Sequence, residues 1–161
     1  MLCERTACER FVTLFWGVFD VETSTLRYVN AGHVAPILIR RDENRMEQLV
    51  EGGPVLGLLP NVSYSAVTVQ IAESDSLVLY SDGISEATDH NEKEFGEDRI
   101  QEIVARCREA AAGEICEQIM DRVTAFASAE APADDCTLMV VRFLSPGACC
   151  VSKDMVEQVV A

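Results

Sequence analysis

The segment Leu77–Ala87, LVLYSDGISEA, constrains the fold most strongly. It begins with four apolar residues that favour a strand, and the tripeptide Ser-Asp-Gly then ends the run abruptly. A carboxylate at the end of a buried strand is costly without a partner, so we expect Asp82 to be exposed at a rim, hydrogen-bonded or bound to a cation. Gly83 allows a tight turn there. Because Asp-Gly after a strand is more often a turn than a metal site, this segment alone leaves both interpretations open.

Length and composition predict one globular domain with a core of its own. The chain has 161 residues, of which 48% are hydrophobic and 25% charged. Its net charge of −14, from 13 Lys and Arg against 27 Asp and Glu, argues against a nucleic-acid partner. The acidity either serves solubility or brings several carboxylates together on divalent cations.

Cysteine usage predicts a reducing compartment. The seven cysteines are an odd number and include no CxxC pair with zinc-like spacing. We also find no signal-peptide pattern and no apolar run near the ~18 residues that a membrane span needs. We therefore expect a cytoplasmic protein without a membrane partner.

The apolar patterns predict several strands, then two helices, then a last strand. We expect Phe11–Asp20 and Leu26–Asn30 to form a hairpin whose first strand, apolar on both faces, is covered on both sides. The other predicted strands are Ala35–Ile39, Tyr64–Ile71, Leu77–Tyr80 and Cys136–Phe143. Between them, Arg40–Glu47 is expected to be a solvent-facing hairpin loop, and Glu51–Pro60 an irregular segment whose Val and Leu side chains can still fill a core.

Two stretches have apolar residues at helical spacing. The first pattern consists of Ile100, Ile103, Val104 and Cys107, and the second of Ile115, Ile119, Val123 and Ala127. Asp98 suits the first turn of the first helix, Gly113 is expected to separate the two helices, and Pro132 to follow the second. Antiparallel strands with helices gathered on a face predict an α+β layered sandwich.

Acidic residues stand at the ends of two predicted strands. Asp82 follows one strand, and Asp134 and Asp135 precede the last one. If these strands are antiparallel neighbours, the carboxylates meet at one rim. Mg²⁺ and Mn²⁺ prefer such oxygen ligands, and two ions about 3.5 to 4 Å apart can orient an attack on phosphorus.

Five segments, in this order and spacing, resemble the SpoIIE-like (RsbU-type) branch of the PPM metal-dependent serine/threonine phosphatases. They are FVTLFWGVFD, YVNAGHVAP, GGPVLGLLP, LVLYSDGISEA and ADDCTLMVVRF, and they span roughly Glu9 to Phe143. The resemblance implies an αββα sandwich with two Mn²⁺ or Mg²⁺ ions between antiparallel sheets. It also implies a phosphoserine or phosphothreonine substrate on a regulatory protein of the anti-sigma-factor-antagonist type.

The resemblance also assigns residues. Asp82 matches the metal-binding Asp of the family's SDG motif, and Asp134 matches the first Asp of its DDxT motif, so both are the expected catalytic metal ligands. Gly83 is expected at the metal site through its backbone. Asp135 and Thr137 are expected to support the turn that carries Asp134.

Upstream of Phe11, members of this family carry GGDxxD-type and DxSGxG-type motifs, which this sequence lacks. We therefore expect residues 1–145 to form a phosphatase domain whose amino-terminal part is missing, and residues 146–161 a tail with a short helix at Lys153–Val160. An apolar strand left at an open edge pairs readily with another chain, so we expect a homodimer or a swapped dimer.

Two alternatives to an enzyme stay open. The absent upstream motifs favour a non-catalytic module that binds a regulatory protein. A generic acidic α+β domain is the third possibility, but it leaves the order of the five segments unexplained. Among other candidates, we expect His33 to be a structural turn residue, and Glu86 and His90 to be exposed without a catalytic role.

Overall fold

A computed structural model describes residues 11–43, 45–127 and 135–144. The described residues fall into two compact units. One comprises those up to Ala35 together with Gln48–Ala72, and the other comprises Pro36–Glu47 together with those from Glu73 onwards. The predicted helix end at Pro132 and the predicted tail helix lie outside the described residues.

The described chain is a mixed α+β protein, which confirms the predicted class. Its strands are β1 (Leu14–Asp20), β2 (Thr25–Ala31), β3 (Ile37–Arg40), β4 (Arg45–Gln48), β5 (Gly52–Gly53), β6 (Val67–Gln70), β7 (Ser76–Tyr80) and β8 (Leu138–Arg142). Its helices are α1 (Asp82–Ser85), α2 (Glu97–Cys107) and α3 (Ala112–Phe126). No helix in the described ranges has the length and apolarity that crossing a membrane requires.

The first unit contains a sheet centred on β2. β1 pairs with β2 in the predicted antiparallel hairpin, from Leu14 opposite Ala31 to Asp20 opposite Thr25. On the other side of β2, β6 runs antiparallel and the short β5 runs parallel. The alternation predicted for β6 is confirmed, because Val67 and Val69 are half-buried while Thr68 and Gln70 are exposed.

The expectation that β1 is covered on both sides is wrong for the described residues. Six of its seven residues are exposed, and only Phe15 is half-buried. Trp16 is 52% exposed and Val18 48%. Among the described strands β1 pairs only with β2, so its second edge is open. An apolar sequence shows that a strand can be buried, but whether it is buried depends on another segment packing against it.

The irregular Gly-Pro segment was predicted to fill the core with its apolar side chains, and this is only partly right. Leu58 and Leu59 are each more than half exposed, whereas Val55 and Leu56 are half-buried. The structure explains why position 52 is a glycine, because a Cβ built there would lie 2.0 Å from the carbonyl oxygen of Asn30. The backbone of β5 can approach β2 only without that carbon.

The second unit contains a sheet with the order β4-β3-β7-β8. β7 lies between β3 and β8 and is antiparallel to both. The helices α2 and α3 contact each other, and α3 contacts β8. The fully buried apolar side chains of this unit include Ile37, Leu38, Ile39, Val78, Ile84, Ile100, Val104, Ile115 and Ile119. The helical spacing thus identified the faces of both long helices that enter the core.

Two local predictions in this unit are wrong. Gly113 does not separate the helices, because it is the second residue of α3 and the break falls at residues 108–111. The solvent-facing hairpin loop predicted at Arg40–Glu47 is too long, because Arg40 ends β3 and Arg45–Gln48 is the neighbouring strand β4. Charged residues obscured this strand, which lies at the end of the sheet order, where its side chains face less of the core.

Arg40, expected in that loop, forms a mostly buried ion pair. Its Nη1 donates to Asp75 Oδ2 at 3.0 Å, and the side chains of Arg40 and Asp75 are 11% and 2% exposed. The backbone N–H of Arg41 donates to the other oxygen of Asp75 at 3.2 Å. The pair thereby joins the end of β3 to the residue that precedes β7.

We expect Arg40→Met to lower the free energy of unfolding by about 3 kcal/mol, because the buried Asp75 carboxylate loses its ion-pair partner. Urea denaturation followed by circular dichroism measures the loss. Glu43→Gln is the control, since Glu43 pairs with Arg45 where both side chains are more than half exposed, and a change below about 1 kcal/mol is expected. Equal effects of the two substitutions would contradict this account of Arg40.

Candidate metal site at one end of the second sheet

Asp82 begins the one-turn helix α1, and only Ser81 lies between it and the end of β7. Its side chain is exposed, and Oδ1 accepts a hydrogen bond from the backbone N–H of Gly83 at 3.0 Å. Its carbonyl oxygen accepts from the N–H of Glu86 at 2.7 Å and from Ser85 Oγ at 3.1 Å. The sequence-based expectation of an exposed, hydrogen-bonded carboxylate at a rim is confirmed.

The chain turns tightly at Asp82 and Gly83 as predicted, because the N–H of Ile84 donates to the carbonyl oxygen of Ser81 at 3.1 Å. The turn is the helical turn α1 and Gly83 has no positive φ, so its backbone conformation is open to any residue. The residue is buried, and its carbonyl oxygen accepts a hydrogen bond from Cys136 Sγ at 3.3 Å. The strand leaves the sheet through a helical turn here, which sequence inspection missed because four residues are too few to show helical periodicity.

Antiparallel pairing brings the start of β8 beside the end of β7, as predicted. The register runs from Ser76 opposite Arg142 to Tyr80 opposite Leu138. One residue beyond this register, the N–H of Ser81 donates to the carbonyl oxygen of Thr137 at 2.9 Å. The turn that carries Asp82 and the turn that carries Asp135 therefore lie at the same end of the sheet.

Ser81 connects these two turns through its side chain. Its Oγ donates to the carbonyl oxygen of Asp135 and accepts from the N–H of Thr137, both at 2.9 Å. With the backbone bond, three hydrogen bonds join this one residue to the segment 135–137. No sequence motif predicts this role of Ser81. The available signal was a serine that directly follows a strand and stands opposite the start of its antiparallel partner.

The oxygen chemistry of this end of the sheet suits a hard divalent cation. Asp82 offers an exposed carboxylate, and the exposed Asp135 lies on the neighbouring turn. Asp134, the other predicted ligand, lies outside the described residues. Within residues 11–43, 45–127 and 135–144, no group of three or more His, Cys, Asp or Glu side chains is placed to hold a metal ion. By donor type, the two described carboxylates fit Mg²⁺ or Mn²⁺.

Tyr80, the last residue of β7, is a buried core residue next to this rim. It is 2% exposed, and burial raises the pKa of its hydroxyl, with the nearby Glu97 carboxylate acting in the same direction. Its hydroxyl has no hydrogen-bond partner among the described residues. The phenol therefore stays neutral at physiological pH, and the charge at this end of β7 comes from carboxylates.

The remaining sequence candidates do not join Asp82 in a described cluster. His33 lies in the first unit, where its backbone N–H donates to Asn30 Oδ1 at 2.8 Å, as suits a turn residue. His90 is exposed and contacts the side chain of Asn91 at 2.9 Å. Glu86 is exposed and contributes its backbone N–H to α1.

Comparison with known proteins identifies a phosphatase family. The family described as Stage II sporulation protein E (SpoIIE) matches residues 1–144. Protein IcfG of Synechocystis sp. is 30% identical over 131 residues, and the phosphoserine phosphatase RsbU of Bacillus subtilis is 26% identical over 132 residues. These alignments cover 81% and 82% of this chain, but only 20% and 39% of the relatives. The chain thus spans well under half of either curated relative.

Solved structures show the same fold. The phosphatase domain of SpoIIE from Bacillus subtilis superimposes with a TM-score of 0.63 at 21% identity, covering 82% of this chain and 58% of that domain. The same domain presoaked with Mn gives a TM-score of 0.60 at 21% identity, covering 82% and 56%. At this identity the likeness establishes the fold alone.

We expect Ser81→Ala to lower the free energy of unfolding by about 1 to 2 kcal/mol, because two backbone groups lose the hydroxyl that pairs with them. The Thr137 amide, which donates to that hydroxyl, should exchange with solvent faster. Hydrogen exchange followed by NMR measures this amide directly. Ser63→Ala, at an exposed serine of the first unit, is the control and should leave the Thr137 amide unchanged. Unchanged exchange at Thr137 in Ser81→Ala would show that the hydroxyl does not hold the two turns together.

Proposed function

Because the chain belongs to the SpoIIE family of PPM-type serine/threonine phosphatase domains, we propose that it takes part in metal-dependent hydrolysis of phosphoserine or phosphothreonine on a regulatory protein. The observation that carries the proposal is the antiparallel pairing of β7 with β8, which brings the turn of Asp82 beside the turn of Asp135. Asp134 directly precedes that second turn in the sequence.

In this proposal Asp82 and Asp134 are the catalytic metal ligands, and Gly83 belongs to the same site through its backbone. When bound, two Mn²⁺ or Mg²⁺ ions would supply an activated water and neutralise charge on the phosphoryl group. The residues of the chain orient the groups that would hold these ions. Gly83 N–H fixes one oxygen of the Asp82 carboxylate, and Ser81 holds the two acid-bearing turns at one separation.

The substrate and metal assignments draw on the relatives. RsbU is named a phosphoserine phosphatase, and the SpoIIE domain was solved after presoaking with Mn. We propose a phosphorylated protein of the anti-sigma-factor-antagonist type as the partner. The net charge of −14 disfavours nucleic acid as an alternative partner. The cytoplasm is the proposed compartment, because Cys107, Cys116 and Cys136 are free thiols.

Self-association is a further part of the proposal. β1 has an open edge among the described strands and exposes Leu14, Trp16 and Val18. A second copy can pair with such a strand and bury its apolar side chains. Sedimentation as a monomer at all concentrations would contradict this part.

A non-catalytic protein-interaction module is the second candidate function. It is favoured by the absence of a three-ligand cluster among residues 11–43, 45–127 and 135–144. In that case the fold binds a regulatory protein without turnover. Hydrolysis by the chain itself separates the two candidates.

We expect the chain to hydrolyse p-nitrophenyl phosphate when Mn²⁺ is present, and the activity to disappear with a chelator. Asp82→Asn should lower the rate by at least about 100-fold, because it removes a charged ligand and keeps the side-chain shape. The rate of nitrophenol release measures both effects.

Asp42→Asn is the matched control, since it removes one exposed carboxylate from the turn before β4. It should retain the rate of the unsubstituted chain. No Mn²⁺-dependent turnover by the unsubstituted chain would contradict catalysis and favour the interaction module. Turnover that survives Asp82→Asn would contradict the role of Asp82.

A further inference from the structure

A groove with basic side chains runs along α2 and α3, the two long helices of the second unit. It consists of two cavities of about 350 Å³ and 480 Å³ that share Ile103, Arg106 and Arg122 in their walls. Phe95 and Phe126 contribute apolar surface to the smaller cavity, with ring centroids 5.3 Å apart in an edge-to-face arrangement. The groove therefore combines an apolar wall with charged groups.

The charge of the smaller cavity is opposite to that of the chain. Its charged lining residues are Arg99, Arg106 and Arg122 against a single acid, Glu102. The chain as a whole has 13 basic and 27 acidic residues, so three arginines around one cavity are a local concentration of positive charge. The larger cavity adds Glu109 and Glu114, which makes the basic character specific to one end of the groove.

Arg99 is fixed in this cavity by its surroundings. Its guanidinium carbon lies 4.7 Å from the ring centre of Phe126 and 5.9 Å from that of Phe95. Its Nη1 donates to the carbonyl oxygens of Glu94 and Phe95. A guanidinium held in this way loses little further freedom when a ligand binds.

The other two arginines are available to a ligand. Arg106 lies 3.7 Å from Glu102, but both side chains are about 70% exposed, and such a pair contributes little. Arg122 is exposed and forms no ion pair with any residue that the structure describes. These two arginines come from different helices and line the same cavity. Carboxylates spaced along a peptide can pair with both.

We propose that this groove binds an acidic peptide segment of a partner protein. Its carboxylates pair with Arg106 and Arg122, and an apolar side chain of the segment packs beside Phe126. Glu102 in the wall disfavours a dense dianion such as phosphate more than it disfavours spaced single charges. The inference is independent of the metal site and holds for either candidate function.

Fluorescence anisotropy of a fluorescein-labelled peptide with alternating Glu and Leu tests the proposal at low salt. We expect saturable binding that weakens at least about tenfold in the double variant Arg106→Gln/Arg122→Gln. A peptide with Gln in place of Glu should not bind. The matched control is Arg27→Gln/Arg45→Gln, which removes two exposed arginines outside the groove and should bind like the unsubstituted chain.

Several outcomes would overturn the proposal. Absence of saturable binding, or equal weakening in the groove variant and the control variant, would show that the groove does not bind the peptide. Any remaining attraction would then be general attraction between the charges of the peptide and the chain. Tighter, groove-dependent binding of a phosphoserine peptide would assign the site to phosphate instead. Self-association that disappears in the groove variant would assign it to a second copy of the chain. Circular dichroism melting of each variant verifies that the fold is retained.

Discussion

The antiparallel pairing of β7 with β8 is the interaction on which the rest of the second unit depends. Residues Ser76–Tyr80 pair one by one with the residues of β8, although 57 residues lie between Tyr80 and its partner Leu138 in the sequence. The chain between them folds into α1, α2 and α3, and α3 returns to contact β8. Backbone hydrogen bonds and the packed helices therefore fix the register of the two strands. Because the acid-bearing turns directly adjoin these strands, their relative position is fixed as well.

Polar anchors secure both ends of this strand pair. At one end Ser81 bonds to the carbonyl of Asp135 and the amide of Thr137. At the other, the N–H of Phe143 donates to the carbonyl of Asp75, whose carboxylate holds Arg40 of β3. Between them Leu77 and Val78 are buried and contribute through apolar burial. A one-residue slip would break both anchors and turn the apolar side chains away from the core.

Sequence patterns predicted the elements that bury a regular face. β6 alternates as expected, and the buried residues of α2 and α3 follow helical spacing. The patterns could not show what depends on partners distant in sequence. The exposure of β1, the strand character of β4 and the cross-strand bonds of Ser81 all depend on which segments become neighbours. The rim position of Asp82 was predictable because burying a carboxylate without a partner costs free energy, so an Asp that follows a buried strand is expected at the surface.

The position at which Mn²⁺ binds tests the proposed metal site most directly. In an isotopically labelled sample, Mn²⁺ broadens the NMR signals of nearby amides. If Mn²⁺ binds at Asp82, the amide signals of Gly83 and Cys136 broaden at the lowest Mn²⁺ concentrations, while those of Arg41 and Asp75, at the opposite end of β7, stay sharp until more Mn²⁺ is added. Asp82→Asn should abolish this selectivity. Broadening that spreads evenly over the acidic surface, or that persists unchanged in Asp82→Asn, would contradict the metal site.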